Sequence, residues 1–156
     1  MKTIIISLII LLTSCVSTNH TFYYNTEINI IENKTMLFIQ ITLNNKKAYL
    51  LIDTGASKSL LDITQAEKYN FKYNILVKDK YIGIGGKQDI FTIYNYKINE
   101  LFIPFFGADI SNINEYFIKD NIPIIGILGC DFLEKYKTKI DFETNKLYYT
   151  KTILEK

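Results

Sequence analysis

Apolar positions along this chain fall at alternate residues or in short unbroken runs, the spacing of strands more than of helices. Residues 28–32 (INIIE) and 36–44 (MLFIQITLN) read as two strands, and the NNKK at 44–47 reads as a hairpin turn into a third, KKAYLLID. There Leu50, Leu51 and Ile52 are consecutive, which predicts a strand buried on both faces, with Asp53 carried inward at its end. DITQAEKYNF (62–71) opens on a capping residue, Asp62, and has short helical character. Residues 75–98 read as two strands joined at Gly85-Gly86 with Gly83 close by, and ELFIPFFGADIS (100–111) as a strand region edged or bulged at Pro104. NINEYFIKD (112–120) predicts a short helix. IPIIGILGCDFLEKY (122–136) predicts an apolar strand, a glycine break and a helical segment, and the turn ETNK (143–146) separates two closing strands. Many short strands with few short helices make an all-β, barrel-like domain, and no internal repeat divides it.

The first residues follow another pattern. MKTIIISLIILLTSC has Lys2, an apolar run from Ile4 to Leu12 and then small residues, which is a secretory signal too short to span a bilayer as a mature helix. Leu12-Thr13-Ser14-Cys15 resembles the bacterial lipobox. That resemblance implies cleavage before Cys15 and a lipid on its sulfur, so that the chain is anchored to a membrane without crossing it. An ordinary signal peptide with an incidental cysteine, or a free N-terminal thiol, is the alternative. The expected divisions are 1–14 as signal peptide, 15–26 as lipidated Cys and tether, and 27–156 as the folded domain in the bacterial cell envelope, on the periplasmic side or at the outer membrane.

Composition narrows the chemistry. At 156 residues with 48% hydrophobic and 22% charged, the chain can bury a core, and its net charge of +2 points to no nucleic-acid partner. All 18 basic residues are lysines, so bidentate phosphate recognition by arginine is unavailable. His20, the one histidine, lies in the tether, which argues against histidine triads and histidine zinc sites; neither metal nor cofactor is expected. With Cys15 acylated, Cys130 has no disulfide partner in the chain and no base to activate it, and it reads as a small buried hydrophobe.

Asp53-Thr54-Gly55 by itself is a common turn. Its context is more specific: an apolar strand precedes it, Ala56-Ser57 follow, and IIGILG (124–129) lies downstream. Together these resemble the retropepsin-like aspartic proteases over roughly residues 35–150. The resemblance implies a retropepsin-like acid-protease half-barrel with short helices that closes as a homodimer. It implies Asp53 as the catalytic carboxylate, Thr54 and Gly55 as the active-site loop, and Ala56 and Ser57 in the substrate cleft. Gly83, Gly85 and Gly86 would belong to a hairpin flap, and Gly126, Leu128 and Gly129 would support the site. Asp131 could cap the helix after Gly129. No second Asp-Thr/Ser-Gly exists in the chain, so the second acid has to be Asp53 of another copy. The implied partners are a peptide or protein substrate, a second copy, and a membrane through the N-terminal lipid. Two readings compete with an enzyme: a non-catalytic peptide-binding envelope lipoprotein with the same fold, and a structural lipoprotein in which Asp53 only closes a turn.

Overall fold

The computed structural model describes residues 26–33, 36–83, 86–101, 103–113 and 124–150. Ten strands join one continuously paired sheet in the order β5-β6-β7-β4-β8-β3-β2-β1-β10-β9. In chain order they are β1 (Thr26–Asn33), β2 (Met36–Leu43), β3 (Lys46–Ile52), β4 (Leu60–Asp62), β5 (Lys72–Gly83), β6 (Gly86–Tyr94), β7 (Phe106–Ala108), β8 (Ile124–Leu128), β9 (Lys139–Asp141) and β10 (Lys146–Tyr149). The helices are short: a 3₁₀ turn at Ile63–Gln65, α1 (Ala66–Tyr69) and α2 (Cys130–Lys135). Residues 111–113 are also helical; most of the NINEYFIKD helix expected from the sequence lies outside the described residues.

β2 and β3 form the hairpin that the NNKK turn predicts, with Leu43 opposite Lys46. Asn44 and Asn45 both take left-handed φ, at 46° and 64°, which asparagine tolerates better than other side chains. β3 is buried on both faces, as its consecutive apolar residues require: Leu50 points into the main core while Leu51 packs with Phe38 and Ile124 on the other side. β8 lies parallel to β3 and antiparallel to β4, and all five of its residues are buried. That sandwiching explains why IIGIL has no polar alternation. The main core gathers Ile39, Ile41, Leu50 and Leu128 with Phe132 of α2 and Tyr149 of β10. Phe132 meets Tyr149 edge-on at 5.3 Å between ring centroids, tying α2 to the closing hairpin.

One of two local expectations holds and the other shifts. Asp62 does cap the 3₁₀ turn, accepting from Thr64 N at 3.1 Å, and it is fully buried. The region around Pro104 yields only the three-residue β7, because Pro104 lacks the N–H a ladder needs and the strand starts after it.

Candidate active site

Asp53 stands where β3 leaves the sheet. Its N–H donates to the Leu128 carbonyl at 3.1 Å, so the pairing of β3 with β8 reaches the aspartate itself. Its own carbonyl accepts from Ala56 N at 3.2 Å, closing a turn over Thr54 and Gly55. Oδ1 of the carboxylate accepts from Gly55 N at 2.8 Å, which orients the acid from within its own loop. A Cβ added to Gly55 would stand 3.1 Å from that oxygen. Space for the carboxylate, not a left-handed backbone, is therefore what glycine supplies here. Asp53 is carried inward only in part: it is half-buried, and Thr54 and Gly55 are exposed. Burial of β3 ends at its last residues, and the loop emerges at the surface.

The remaining predicted residues lie around this loop. Ala56 is buried in a small cluster with Leu60, Ile90, Ala108, Ile110 and Ile127, while Ser57 is exposed. Leu128 is fully buried and supplies the carbonyl under Asp53. Gly126 lies so close to β4 that a Cβ there would stand 2.1 Å from the Leu60 carbonyl oxygen. At Gly129 a Cβ would stand 2.7 Å from the carbonyl oxygens of Ala56 and Lys58. Both glycines thus permit β8 and its turn to pass directly beneath the Asp53 loop.

The flap glycines fall in the β5–β6 hairpin. Gly83 pairs with Gly86, so the connection runs through residues 84 and 85, and Gly86 begins β6 instead of forming part of the turn. Gly85 lies outside the described residues, as do Cys15, His20 and the rest of the tether as far as residue 25.

Three features were not foreseen from the sequence. Ser59, fully buried, donates through Oγ to Asp131 Oδ1 at 2.6 Å and through its N–H to Asp131 Oδ2 at 3.0 Å. The same Oγ accepts from Gly129 N at 3.0 Å. Asp131 is therefore not the cap of α2. Gly129 occupies that position, and Asp131 sits in the first turn, where it also accepts from Phe132 N at 2.9 Å. The carboxylate spends its lone pairs latching the strand after the Asp53 loop onto the Gly129 turn. The third feature is Cys130, half-buried instead of buried, with Sγ donating to the Thr54 carbonyl at 3.0 Å. A hydroxyl residue just ahead of an apolar pair, Ser59-Leu60-Leu61, was the one available hint of the latch, and it did not name its partner. Among the described residues no group of three or more His, Cys, Asp or Glu gathers in a way that could hold a metal ion.

The strand-end aspartate, the exposed loop and the glycine strand crossing beneath it lie within residues 39–135, which match the family described as gag-polyprotein putative aspartyl protease. The chain belongs to that family. The match runs from β2 to the end of α2 and so includes the Asp53 loop, the β5–β6 hairpin and the Gly129 turn. Among solved structures, the chain is similar to a retropepsin-like aspartic protease from Rickettsia conorii, at 23% identity and TM-score 0.48, covering 83% of this chain and 97% of that one. It is similar to EIAV protease complexed with the inhibitor HBY-793, at 20% identity and TM-score 0.47, covering 67% and 91%. It is also similar to the retroviral protease-like domain of Ddi1 from Leishmania major, at 21% identity and TM-score 0.46, covering 75% and 90%. No curated protein matches the chain. The described residues are mostly β-sheet with few short helices, in keeping with the all-β fold expected from the sequence.

Proposed function

We propose that the chain is a membrane-anchored aspartic endopeptidase in which Asp53 and Asp53 of a second copy activate the water that hydrolyses a peptide bond. The observation that carries this reading is the Asp53 loop: an exposed turn with its carboxylate held by Gly55 N, supported from beneath by Leu128, Gly129 and Cys130. Amide hydrolysis without metal or nucleophile needs one carboxylate to take a proton from water and one carboxylic acid to polarise the carbonyl. Two carboxylates in contact cannot both be ionised, so a facing pair shares one proton and fills both roles. One chain brings a single such loop, and its exposure leaves room for a second across a two-fold axis. Thr54, exposed at the turn, is placed to tie the two loops together through its hydroxyl. The substrate binds extended between the β5–β6 hairpin and the loop, so that main-chain hydrogen bonds supply much of the affinity.

The amino-terminal pattern supports a location in the bacterial cell envelope. Residues 1–14 act as signal, Cys15 carries lipid, and the following residues up to 26 tether the domain spanning 27–156. The test is to compare wild type with Asp53→Asn on an unbiased peptide library from acidic to neutral pH, alongside sedimentation of both. Cleavage by wild type alone, from a dimer, is expected. Equal cleavage by both proteins ends the enzymatic reading, and a peptide-binding monomer without turnover supports the binding lipoprotein instead.

A further inference from the structure

Five lysines with no part in the proposed chemistry gather at one end of the domain. Lys46 and Lys47 open β3, Lys68 lies in the last turn of α1, Lys72 opens β5 and Lys97 follows β6; all five are exposed. Asn44 draws their turns together. Its amide nitrogen donates to the carbonyls of Tyr69 at 3.0 Å, Asn70 at 2.8 Å and Asn95 at 3.4 Å, and its Oδ1 accepts from Lys97 N at 2.8 Å. Lys46 Nζ covers the carbonyl of Lys68 at the end of α1, a local capping role. The acids nearby are Glu67 in α1 and Glu100, whose carboxylate accepts from Thr42 N at 3.0 Å. Among the described residues none of the five lysines is in an ion pair with a carboxylate, whereas Lys139 and Lys146 pair with Asp141 and Glu27. A chain of net charge +2 thus concentrates positive charge on one end.

The chain also enters the fold at that end. Thr26 pairs with Tyr149, whose hydroxyl is hydrogen-bonded with the Thr26 side chain and donates to the Glu100 carbonyl. Asn99, next to Glu100, donates its N–H to the Thr42 carbonyl at 3.3 Å, and Thr42 is the strand partner of Lys47. Asp53 lies at the other end of the same strand that Lys46 opens. Seven residues of β3 at about 3.3 Å each separate the lysines from the catalytic loop by roughly 23 Å.

The geometry points to the lysine-bearing end as a face that seats against an anionic membrane surface and turns the Asp53 loop away from the lipid. This rests on the lipid-anchor reading for the tether, although the lysine face can be tested without it. If the residues between the lipid and β1 behave as a coil, they span roughly 18 Å on average, enough to let an uncharged domain tumble above the bilayer. Each lysine near an anionic surface raises the partition by a factor of about five, acting within about one Debye length, roughly 10 Å. Five lysines on one end therefore select a single orientation, with the cleft about 20 Å out in water where an extended peptide can reach it.

The test uses the full chain with the mass of its amino-terminal peptide determined. It is reconstituted in neutral phosphatidylcholine vesicles and in vesicles with about a third phosphatidylglycerol, and lysine acetylation is followed by mass spectrometry. Lys46, Lys47, Lys68, Lys72 and Lys97 are expected to react at least about fivefold more slowly on the anionic vesicles, and Lys58, beside the catalytic loop, to react equally on both. The triple variant K47Q/K68Q/K72Q, which spares Lys46, is expected to lose the difference at Lys46 and Lys97. Equal rates on the two vesicles, or equal protection of Lys58, overturn the proposal. If the peptide carries no lipid, the anchor reading fails separately, and flotation of the same chain then decides the lysine face. Binding to anionic but not neutral vesicles, weakened roughly 100-fold in the triple variant, supports it; no flotation, or retention on duplex DNA alone, overturns it.

Discussion

Gly126 is where the site depends most directly on close packing, and a single methyl group tests it. An alanine there would place its Cβ 2.1 Å from the Leu60 carbonyl oxygen, 3.0 Å from Leu50 Cδ2 and 3.1 Å from Leu61 Cδ2. Carbon–oxygen contacts settle at about 3.3 Å, so β4 has to retreat by roughly 1 Å. The obstacle is strand backbone, which cannot swing aside as a side-chain end can. Its retreat disturbs the pairing of Leu61 with Gly126 and of Leu60 with Ile127. Overpacking a core costs about 1–3 kcal/mol, and backbone resistance puts Gly126→Ala at the upper end, about 3 kcal/mol. For a domain of this size that lowers the melting temperature by roughly 6–12 °C. Urea unfolding and thermal melts of the full chain, followed by circular dichroism, measure it. A change under about 0.5 kcal/mol, the range of ordinary surface substitutions, would refute the close-approach argument. Gly55→Ala is the matching contrast: its Cβ meets only the Asp53 carboxylate, on an exposed loop. It is expected to abolish peptide cleavage while changing stability by less than about 1 kcal/mol.

Asp131→Ala removes the acceptor for Ser59 N and Ser59 Oγ, whereas Phe132 N keeps its bond to the Gly129 carbonyl, and leaving the two donors of a fully buried serine unpaired costs about 3 kcal/mol. Asp131→Asn, which keeps one acceptor oxygen, costs less in the same unfolding assay; equal stability of Asp131→Ala and wild type would contradict the latch. At the β9–β10 turn, a hydrogen bond from Lys139 and then one from the Thr144 amide hold the Asp141 carboxyl down to about 2. A depressed carboxylate favours the folded state above its unfolded value of about 3.9 and loses that contribution as pH falls through about 2. A carboxyl-carbon NMR titration reads the midpoint directly: Lys139→Gln raises it, and a wild-type midpoint near 4 would show that the turn does not hold the acid.

Much of this architecture was legible in the sequence because strands and tight turns are local. The consecutive Leu50-Leu51-Ile52 announced a strand covered on both faces, the NNKK turn announced its hairpin, and Asp62 announced the helical turn it caps. Gly86 was misplaced by one residue because a run containing three glycines does not say which two positions form the turn. A carboxylate next to a helix start usually caps that end, which is the role the sequence suggests for Asp131. Its actual partner, Ser59, lies 72 residues away in sequence.

Sequence alone determined that the chain is mostly β, that an aspartate ends a strand apolar on both faces, and that one Asp-Thr-Gly motif occurs in it. Those properties follow from residue order and side-chain chemistry, which periodicity exposes. Only the tertiary structure decided that Ser59 and Asp131 lock the loop, that Cys130 reaches the Thr54 carbonyl, that β8 passes too close to β4 for any side chain at Gly126, and that five scattered lysines share one end with Thr26. Each of these joins residues distant in the chain, and that distance is closed by the packing of the sheet, which no local pattern records.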